Sequence, residues 1–499
     1  MFDKILIANR GEIAVRVMRT AREMGICTVA VYSDADRDAL HVISADEAVY
    51  LGESFPAASY LNIDKIIAAA HETGAQAIHP GYGFLAENPF FAERVAAEGL
   101  VFIGPPAEVM ARLGNKTTAR RIMTDSGVPV IPGITAPEPD PNRLLDAAED
   151  IGYPVLVKAA AGGGGKGMRV VENRGALLEA AEMASSEALT AFGDGTVYLE
   201  KFLDRPRHVE FQVLADAHGN VVHLFERECS IQRRHQKIIE ETPSPALDDE
   251  LRARMGKAAV SAALAAGYVN AGTVEFLLDG SGEFYFLEVN TRLQVEHPIT
   301  EMITGLDLVR HQIGIAAGMP LPFRQAEITR RGHAIECRIY AEDPEADFMP
   351  SPGPILLARS PEGPGVRYDH GIYSGFTVPV HYDPILGKVV VWAENRALAV
   401  ARMTRALKEC VILGVKTPVE FLLDVLDSTA FQAGDIHTRF IDEHFSSWQP
   451  SEHADRTAAI GFVLHEMLAP RSVGPDEGTA AERDRTSPWF TLGAWDLTR

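Results

Sequence analysis

The stretch FYFLEVNTRLQVEHPITEM, Phe284–Met302, begins as a buried β-strand and continues as an alternation of polar and mostly apolar residues. Every second position from residue 288 to residue 296 is polar. Because side chains of an extended chain alternate between two faces, the pattern predicts one row of functional groups on a single face. The members of this row are Glu288, Asn290, Arg292, Gln294 and Glu296.

The start of this row also belongs to a predicted hairpin, TVEFLLDGSGEFYFLEVN, residues 273–290. The turn DGSG joins two apolar runs, so Glu275 and Glu288 are expected on the same face of neighbouring strands. Two such carboxylates repel each other unless a cation lies between them, and Mg²⁺ binds few carboxylates together with phosphate oxygens. The hairpin therefore predicts a metal site with Asn290 as a neutral ligand. An exposed acidic pair is the alternative.

On either side of the hairpin, the chain divides into segments that differ in their predicted secondary structure. Residues 1–114 alternate short apolar runs with amphipathic helices, which predicts a parallel-sheet, Rossmann-like α/β domain. Residues 115–330 carry antiparallel strand signals and an α+β lid at about 131–203, and residues 331–446 form a mixed α/β unit. The polar residues 447–499 are expected to be a mobile tail.

Composition restricts the kinds of partner. The 499 residues carry a formal net charge of −22, which excludes a general binder of nucleic acid or acidic membranes. The four cysteines lie far apart without metal-ligand spacing, and no segment has the roughly 20 apolar residues of a membrane span. A cytoplasmic protein with reduced thiols is expected.

Two segments predict an anion site in this acidic protein. The glycine run GGGGKG, residues 162–167, follows Lys158 in an apolar strand and predicts a flap over phosphates, although a plain turn is the alternative. The basic run around Lys237 is bounded by isoleucines, so some of its charges are expected to point inward, unless it is a solvated patch. Downstream, Arg292, Gln294 and Glu296 suit a small planar acid, with a structural salt-bridge network as the alternative.

Six motifs together resemble those of the biotin carboxylases, which are ATP-grasp enzymes. They are KILIANRGEIAVRVMRTARE, HPGYGFLAEN, GGGGKGMRVV, CSIQRRHQKIIEE, EVNTRLQVEHPITEMITGLDLV and GHAIECRIYAEDP. The resemblance runs in order from Phe2 to about Phe445. It implies that deprotonated bicarbonate attacks ATP to give carboxyphosphate. That intermediate yields CO₂ for the biotin of a carrier protein.

The resemblance also implies a role for each matched residue. The ATP contacts would be Lys116, Lys158, Gly163, Gly164, Gly165, Lys166, Gly167, Glu200, Lys201, Leu203, His208, Gln232, His235 and Ile436. Mg²⁺ or Mn²⁺ would be bound by Glu275, Glu288 and Asn290. Bicarbonate would be bound by Arg292, Gln294 and the Val295 backbone, with Glu296 as base and Lys237 stabilising the transferred phosphate. Biotin would lie near Tyr82, with Arg338 supporting its enolate.

The sequence departs from the family pattern at two points. Lys166 replaces a common arginine in the flap, which keeps the charge, loses the planar fork and is expected to change nucleotide affinity at most. The chain also lacks the Met-Lys dipeptide of biotin-accepting motifs, which predicts a separate biotin carboxyl carrier protein. Carboxyltransferase subunits and a homodimer are also expected from the family. The ending SPWFTLGAWDLTR, residues 487–499, resembles acyl-CoA carboxylase α-subunits and favours acetyl-CoA or another acyl-CoA as the final acceptor.

Three alternatives remain open from the sequence. The chain could be the A component of a pyruvate or 2-oxo acid carboxylase, since the carboxyltransferase decides the acceptor. It could be another ATP-grasp carboxylate ligase, an interpretation in which Arg338 has no obvious task. A non-catalytic ATP-binding protein is the third alternative, and the presence of every expected catalytic side chain argues against it.

Overall fold

The computed structural model describes residues 1–134, 141–159, 168–192, 195–234, 236–451, 460, 461, 463 and 464. The chain divides into two compact units, Met1–Trp448 and Gln449–Arg499. The flap residues Gly163–Gly167, His235 and the ending at 487–499 lie outside the described residues. Among the described helices, none is long and apolar enough to cross a membrane.

The first segment is a parallel sheet, as its alternating pattern predicts. Five strands are ordered β3-β2-β1-β4-β5, and each neighbouring pair is parallel. The elements are β1 Lys4–Ile7, α1 Gly11–Glu23, β2 Cys27–Ser33, α2 Leu40–Ser44, β3 Glu47–Gly52, α3 Ile63–Thr73, β4 Ala77–His79, α4 Pro89–Ala97, β5 Val101–Phe102, α5 Ala107–Gly114 and α6 Lys116–Asp125.

The lid segment contains a small antiparallel sheet of its own, ordered β7-β6-β8. Apolar residues of its strands and helices, among them Val157, Leu177 and Leu199, form a separate buried cluster. The elements are α7 Pro141–Ile151, β6 Val155–Ala159, β7 Arg169–Val171, α8 Leu177–Phe192 and β8 Val197–Lys201.

A large sheet carries most of the predicted site. Its eight strands are ordered β13-β12-β9-β10-β11-β14-β21-β19 and continue across the boundary that the sequence places at residues 330 and 331. The elements up to that boundary are β9 Arg207–Ala215, β10 Val221–Arg233, β11 Gln236–Thr242, α9 Asp249–Ala266, β12 Asn270–Leu278, β13 Phe284–Asn290, α10 His297–Thr304 and α11 Leu308–Ala316.

The remaining elements complete this sheet and surround it. They are β14 His333–Tyr340, β15 Glu342–Asp343, β16 Met349–Pro350, β17 Gly353–Pro354, β18 Leu357–Arg359, β19 Val366–His370, β20 Thr377–Val378, β21 Ile385–Ala393, α12 Arg396–Glu409, β22 Val411–Leu413, α13 Val419–Asp427, α14 Thr429–Ala433 and α15 Phe440–His444. Valines of β21 and helices α12 to α15 share one buried apolar cluster.

The predicted hairpin is correct, but the extended row is only partly correct. Strands β12 and β13 are antiparallel and pair Glu275 directly with Glu288. Strand β13 ends at Asn290, and residues 291–296 form a non-strand loop that leads into α10. The later members of the row therefore do not follow strand alternation, and the loop brings their side chains into the site.

One buried ion pair on β11 predicts a measurable acid sensitivity. Glu241 accepts from His333 at 2.7 Å and from Arg396 at 2.7 and 3.0 Å. Burial alone would raise the pKa of Glu241, but these partners lower it from 4.5 to about 2. The ionised Glu241 therefore stabilises the folded state fully above pH 4.5, and this stabilisation is lost as the pH falls toward 2.

Glu241→Gln is expected to flatten the pH dependence of unfolding. Between pH 5 and pH 3 the free energy of unfolding of the unmodified chain should fall by about 2 kcal/mol more than that of the variant. Urea titrations at several pH values would measure this difference. Glu409→Gln, in the exposed pair with Arg405, serves as the control and should leave the slope unchanged. Equal slopes for the unmodified chain and Glu241→Gln would contradict the prediction.

Candidate active site

Lys237 lies at the centre of a buried cluster of carboxylates. Its Nζ donates to Glu210 Oε2 at 2.5 Å, to Glu275 Oε1 at 2.9 Å and to Glu296 Oε1 at 2.7 Å. Burial alone would lower the pKa of Lys237, but these three carboxylates raise it well above its usual value. The ammonium is therefore a permanent positive charge at the point where β9, β11, β12 and the loop before α10 meet.

Arg227 on β10 is a second buried cation, which the sequence reasoning missed. Its side chain is 0% exposed and its guanidinium donates to Glu210 at 2.6 Å and to Gln294 Oε1 at 2.7 Å. It also donates to Gln212, Thr273 and Thr300. These bonds link three strands to the start of α10, so Arg227 fixes the amide of Gln294 inside the site.

Glu296 lies between two cations. One carboxylate oxygen accepts from Lys237, and the other accepts from Arg338 at 3.0 Å. Burial opposes ionisation of Glu296, but the charges of Lys237, Arg338 and Arg227 lower its pKa well below its usual range. The carboxylate is therefore ionised near neutral pH, as a proton acceptor must be.

Arg338 on β14 makes a second buried ion pair. Its guanidinium donates to Glu240 Oε1 at 2.6 Å, and burial raises the pKa of Glu240 to about 7 although Arg338 opposes the shift. Tyr340 lies 3.5 Å from the same guanidinium. Burial therefore holds the pKa of Glu240 above its usual range, beside the arginine that the resemblance assigns to biotin.

The predicted metal ligands lie together on the paired strands β12 and β13. Asn290 Nδ2 donates to Glu275 Oε1 at 2.8 Å. Desolvation and the facing Glu275 carboxylate raise the pKa of Glu288. Such repulsion is what a divalent cation would relieve, so these residues fit an Mg²⁺ or Mn²⁺ site.

A neighbouring set of ligand atoms overlaps this site. Atoms of His208, Glu210 and Glu275 lie within 4.8 Å of one another. His208 Nε2 is 2.9 Å from Glu275 Oε2, and Gln232 Nε2 lies 2.8 Å from His208 Nδ1. The sequence assigned His208 and Gln232 to nucleotide contacts, and the structure brings both of them next to the carboxylate cluster.

The loop after β13 brings the predicted bicarbonate residues to the same cluster. Arg292 donates to Asn290 Oδ1 at 3.0 Å and to Glu87 Oε2 at 2.9 Å. Gln294 Nε2 donates to Glu275 Oε1 at 2.9 Å, and the carbonyl of Val295 accepts from Lys388 at 2.5 Å. Glu87 and Lys388 are further contacts that the sequence reasoning missed.

A cavity of about 510 Å³ opens beside the predicted metal ligands. Its walls include Lys116, Lys158, Glu200, Glu288 and Asn290, together with apolar side chains of α5, of the segment after α6 and of β13. Lys158 Nζ donates to Glu200 Oε2 at 2.8 Å. A half-apolar cavity with two lysines near a carboxylate pair can hold a nucleotide base at one side and its phosphates at the other.

Three of the predicted ATP contacts are not among the residues that line this cavity. Lys201, next to the lining residue Glu200, donates from its Nζ to the Gly152 carbonyl at 2.7 Å, and Leu203 does not line the cavity either. Ile436 is 1% exposed and belongs to the apolar cluster that contains Ile231. The backbone N–H of Lys201 donates to Pro132 at 2.7 Å, which ties β8 to the segment after α6.

Tyr82, the predicted biotin residue, lies in a buried polar group near Arg338. Its hydroxyl donates to Glu12 Oε1, and the Lys388 ammonium lies 5.8 Å from the centre of its ring. Burial and the Glu12 carboxylate raise the pKa of Tyr82 well above its usual value. The phenol is therefore neutral and can donate a hydrogen bond.

Two of the missed residues share one sequence signal. Lys388 is a single cation within an otherwise apolar strand, as Lys158 is, and Glu210 is the single carboxylate of β9, whereas Arg227 lies between Glu226 and Glu228 in the polar strand β10. An isolated charge at a buried strand position needs a partner, because an unpaired buried charge is costly. The same reasoning that singled out Lys158 would have found Lys388 and Glu210, but not Arg227.

Comparison with protein families agrees with this arrangement. The model described as "Carbamoyl-phosphate synthase L chain, ATP binding domain" matches residues 115–324. The models for the N-terminal and C-terminal domains of biotin carboxylase match residues 1–110 and 336–443. The fold and the site therefore define an ATP-binding enzyme of the ATP-grasp class.

Individual relatives identify the family. The chain is 56% identical over 444 residues to the pyruvate carboxylase A subunit of Methanothermobacter thermautotrophicus, covering 89% of this chain and 90% of the relative. It is 54% identical to the biotin carboxylase of Nostoc sp., covering 89% and 99% of the two chains. The chain belongs to the biotin carboxylase family and is a ligase of that type.

Solved structures have the same fold. The biotin carboxylase of Campylobacter jejuni matches with a TM-score of 0.84 at 49% identity, covering 89% of this chain and 99% of that one. The biotin carboxylase domain of the Hydrogenobacter thermophilus 2-oxoglutarate carboxylase, in complex with MgADP, ADP and bicarbonate, also matches with a TM-score of 0.84. It is 47% identical and covers 91% of this chain and 100% of that one.

Proposed function

We propose that this chain uses ATP and bicarbonate to carboxylate biotin held on a separate biotin carboxyl carrier protein. The observation that carries the proposal is the ionised Glu296 carboxylate, which lies between Lys237 and Arg338. In this proposal Lys237 binds the transferred phosphate and Arg338 binds biotin. A base between them connects the activation of bicarbonate with the carboxylation of biotin. Membership of the biotin carboxylase family supports the same reaction.

The first step we propose is proton removal from bicarbonate by Glu296. The O–H bond of bicarbonate breaks, its proton moves to a Glu296 oxygen, and a bicarbonate oxygen attacks the γ-phosphate of ATP to give carboxyphosphate and ADP. The planar guanidinium of Arg292 can donate two parallel hydrogen bonds to bicarbonate, and Gln294 and the Val295 backbone complete the binding of bicarbonate. Lys237 stabilises the charge that develops on the transferred phosphate.

The second step we propose takes place at Arg338 and Tyr82. Carboxyphosphate gives CO₂ and phosphate, the phosphate removes the ureido proton of biotin, and the biotin nitrogen bonds to CO₂. The Arg338 guanidinium neutralises the enolate oxygen, while the neutral Tyr82 hydroxyl lies at the same end of the site. Arg338 contacts Glu296 directly at 3.0 Å, which supports adjacent binding of bicarbonate and biotin.

Nucleotide and metal binding follow from the cavity and the carboxylate pair. Lys116, Lys158 and Glu200 would contact ATP, as would the flap residues outside the described part. Glu275, Glu288 and Asn290 would hold Mg²⁺ or Mn²⁺, which neutralises phosphate charge when bound. His208 and Gln232 would fix the Glu275 carboxylate from the side of β9 and β10.

The partners and the final acceptor are also part of the proposal. A carboxyltransferase would transfer the carboxyl group to acetyl-CoA or another acyl-CoA, and the chain would act as a homodimer in the cytoplasm, without nucleic acid or membrane. A pyruvate or another 2-oxo acid is the second candidate. It is favoured by the Methanothermobacter relative, whose name assigns it to a pyruvate carboxylase.

Bicarbonate dependence tests the proposed function. We expect the purified full chain to hydrolyse MgATP only with bicarbonate, to hydrolyse it faster with free biotin, and to transfer label from bicarbonate to biotin. Equal hydrolysis without bicarbonate would refute the proposal. Full turnover of Arg338→Ala with a biotin carrier would favour another ATP-grasp carboxylate ligase. Arg439→Ala, at an exposed pair with Asp204, is the matched control.

A further inference from the structure

Lys388 is a fully buried cation on β21 that none of the proposed steps uses. Its side chain is 0% exposed, and its neighbours along the strand, Leu386, Val389 and Val390, are buried and apolar. In the pairing of β14 with β21, Lys388 lies directly opposite Arg338. An ammonium in this position needs specific partners, since burying it without them is costly.

The first partner is the backbone of the bicarbonate loop. Lys388 Nζ donates to the carbonyl of Val295 at 2.5 Å, which is the peptide that joins Val295 to Glu296. The preceding residue is held as well, because Arg227 binds the Gln294 side chain and His297 Nδ1 lies 2.7 Å from the Gln294 carbonyl. Three separate elements therefore fix the loop that carries the base.

The second partner is Glu12, in the first turn of α1. Glu12 Oε1 lies 3.3 Å from Lys388 Nζ and also accepts from the Tyr82 hydroxyl. The backbone there is closely packed: a Cβ atom on Gly371 would lie 2.8 Å from the Glu12 nitrogen, so only glycine fits. Glu12 is thus held from both sides, and it connects Lys388 with Tyr82.

We propose that Lys388 is a positioning residue that fixes the Val295–Glu296 peptide and, through Glu12, couples the bicarbonate loop to Tyr82. Without this bond, the peptide loses the one contact to its carbonyl that sets its orientation among those described, and the Glu296 carboxylate is held less firmly between Lys237 and Arg338. Lys388 acts through these groups and does not itself touch the reacting atoms. This inference rests on the proposed function, since it assigns bicarbonate and biotin to the two ends of the contact chain.

Lys388→Met tests the role, because methionine fills a similar volume and donates no hydrogen bond. On the full chain we expect the KM for bicarbonate to rise at least tenfold and more ATP to be hydrolysed per biotin carboxylated. The KM for ATP should stay within twofold, since the nucleotide cavity contains neither partner. Lys65→Met, which removes a lysine that donates to the carbonyls of Leu51 and Ala58, is the control and should change neither constant.

A double variant separates positioning from stability. Lys388→Met leaves Glu12 buried beside a neutral side chain, which lowers the Tm. Glu12→Gln/Lys388→Met removes that charge and keeps an acceptor for Tyr82, so the Tm should recover while the KM for bicarbonate stays high. A KM for bicarbonate within twofold of the unmodified chain in either folded variant would overturn the inference. A rise in the KM for ATP as large as the rise in the KM for bicarbonate would also overturn the inference.

The same measurements distinguish this inference from the proposed function. If the unmodified chain shows no bicarbonate-dependent hydrolysis, the proposed function fails before any variant is compared. If the unmodified chain shows that activity and Lys388→Met has the same constants, the positioning role alone fails.

Discussion

Glu296→Gln is expected to lower bicarbonate-dependent ATP hydrolysis by about a hundredfold to ten-thousandfold, the usual contribution of a positioned general base. Glutamine has nearly the same shape, so it can still fill the space between Lys237 and Arg338, but it cannot accept the bicarbonate proton. The loss should appear in kcat, with nucleotide affinity nearly unchanged. Steady-state hydrolysis and nucleotide titration of the same preparation would measure both quantities.

Glu301→Gln is the matched control for this change. Glu301 lies on α10, five residues beyond Glu296, is also buried, and accepts from two guanidinium groups, Arg16 at 2.8 Å and Arg367 at 2.7 Å. Its replacement should lower stability and leave bicarbonate-dependent kcat within about fivefold, because Glu301 is not among the residues that surround Lys237. A comparable loss of kcat in both variants would show that the loss of any buried carboxylate in or next to α10 has the same effect, and the role of Glu296 as base would be wrong.

Arg227→Met is expected to destabilise the chain by about 3–5 kcal/mol, the usual cost of removing one partner of a buried ion pair. The change leaves Glu210 buried with one cation fewer and releases the Gln294 amide. We therefore expect the KM for bicarbonate to rise together with the loss of stability. Urea unfolding and hydrolysis assays at varied bicarbonate would measure the two effects.

Arg252→Met separates these two effects. Arg252 on α9 is likewise buried and donates to Glu226 at 2.9 and 3.0 Å, but none of its described bonds reaches the site. The Arg252→Met substitution should reduce the free energy of unfolding by a similar amount and leave the KM for bicarbonate unchanged. If both arginine variants raise that KM equally, destabilisation alone explains the effect and Arg227 does not position Gln294.

Local patterns predicted much of the site. Charges bounded by apolar residues marked Lys158, the Glu275 and Glu288 pair and the basic run around Lys237, because a buried charge stands out against its strand. The hairpin turn fixed the register that brings the two carboxylates face to face. The parallel N-terminal sheet followed from the alternation of apolar runs and amphipathic helices.

The contacts between distant strands could not be predicted in the same way. Arg227 reaches Gln294, 67 residues away, and Lys388 reaches Val295, 93 residues away, so both bonds depend on the order of strands in the sheet. The end of β13 was also missed, because polar alternation continues to Glu296 after the strand has stopped. The loop at 291–296 gains its shape from Glu87, Arg227 and Lys388 and not from its own pattern.

The eight-stranded sheet has a consequence for how the site works as a whole. The carboxylate pair on β12 and β13, Lys237 on β11 and Arg338 on β14 all stand on this one sheet, while the described strands of the lid form a sheet of their own. The spacing between the proposed phosphate end and the proposed biotin end is therefore set by the spacing of the strands. In the reaction that we propose, the distance that the carboxyl group travels would therefore stay the same in every cycle, whatever the position of the lid sheet.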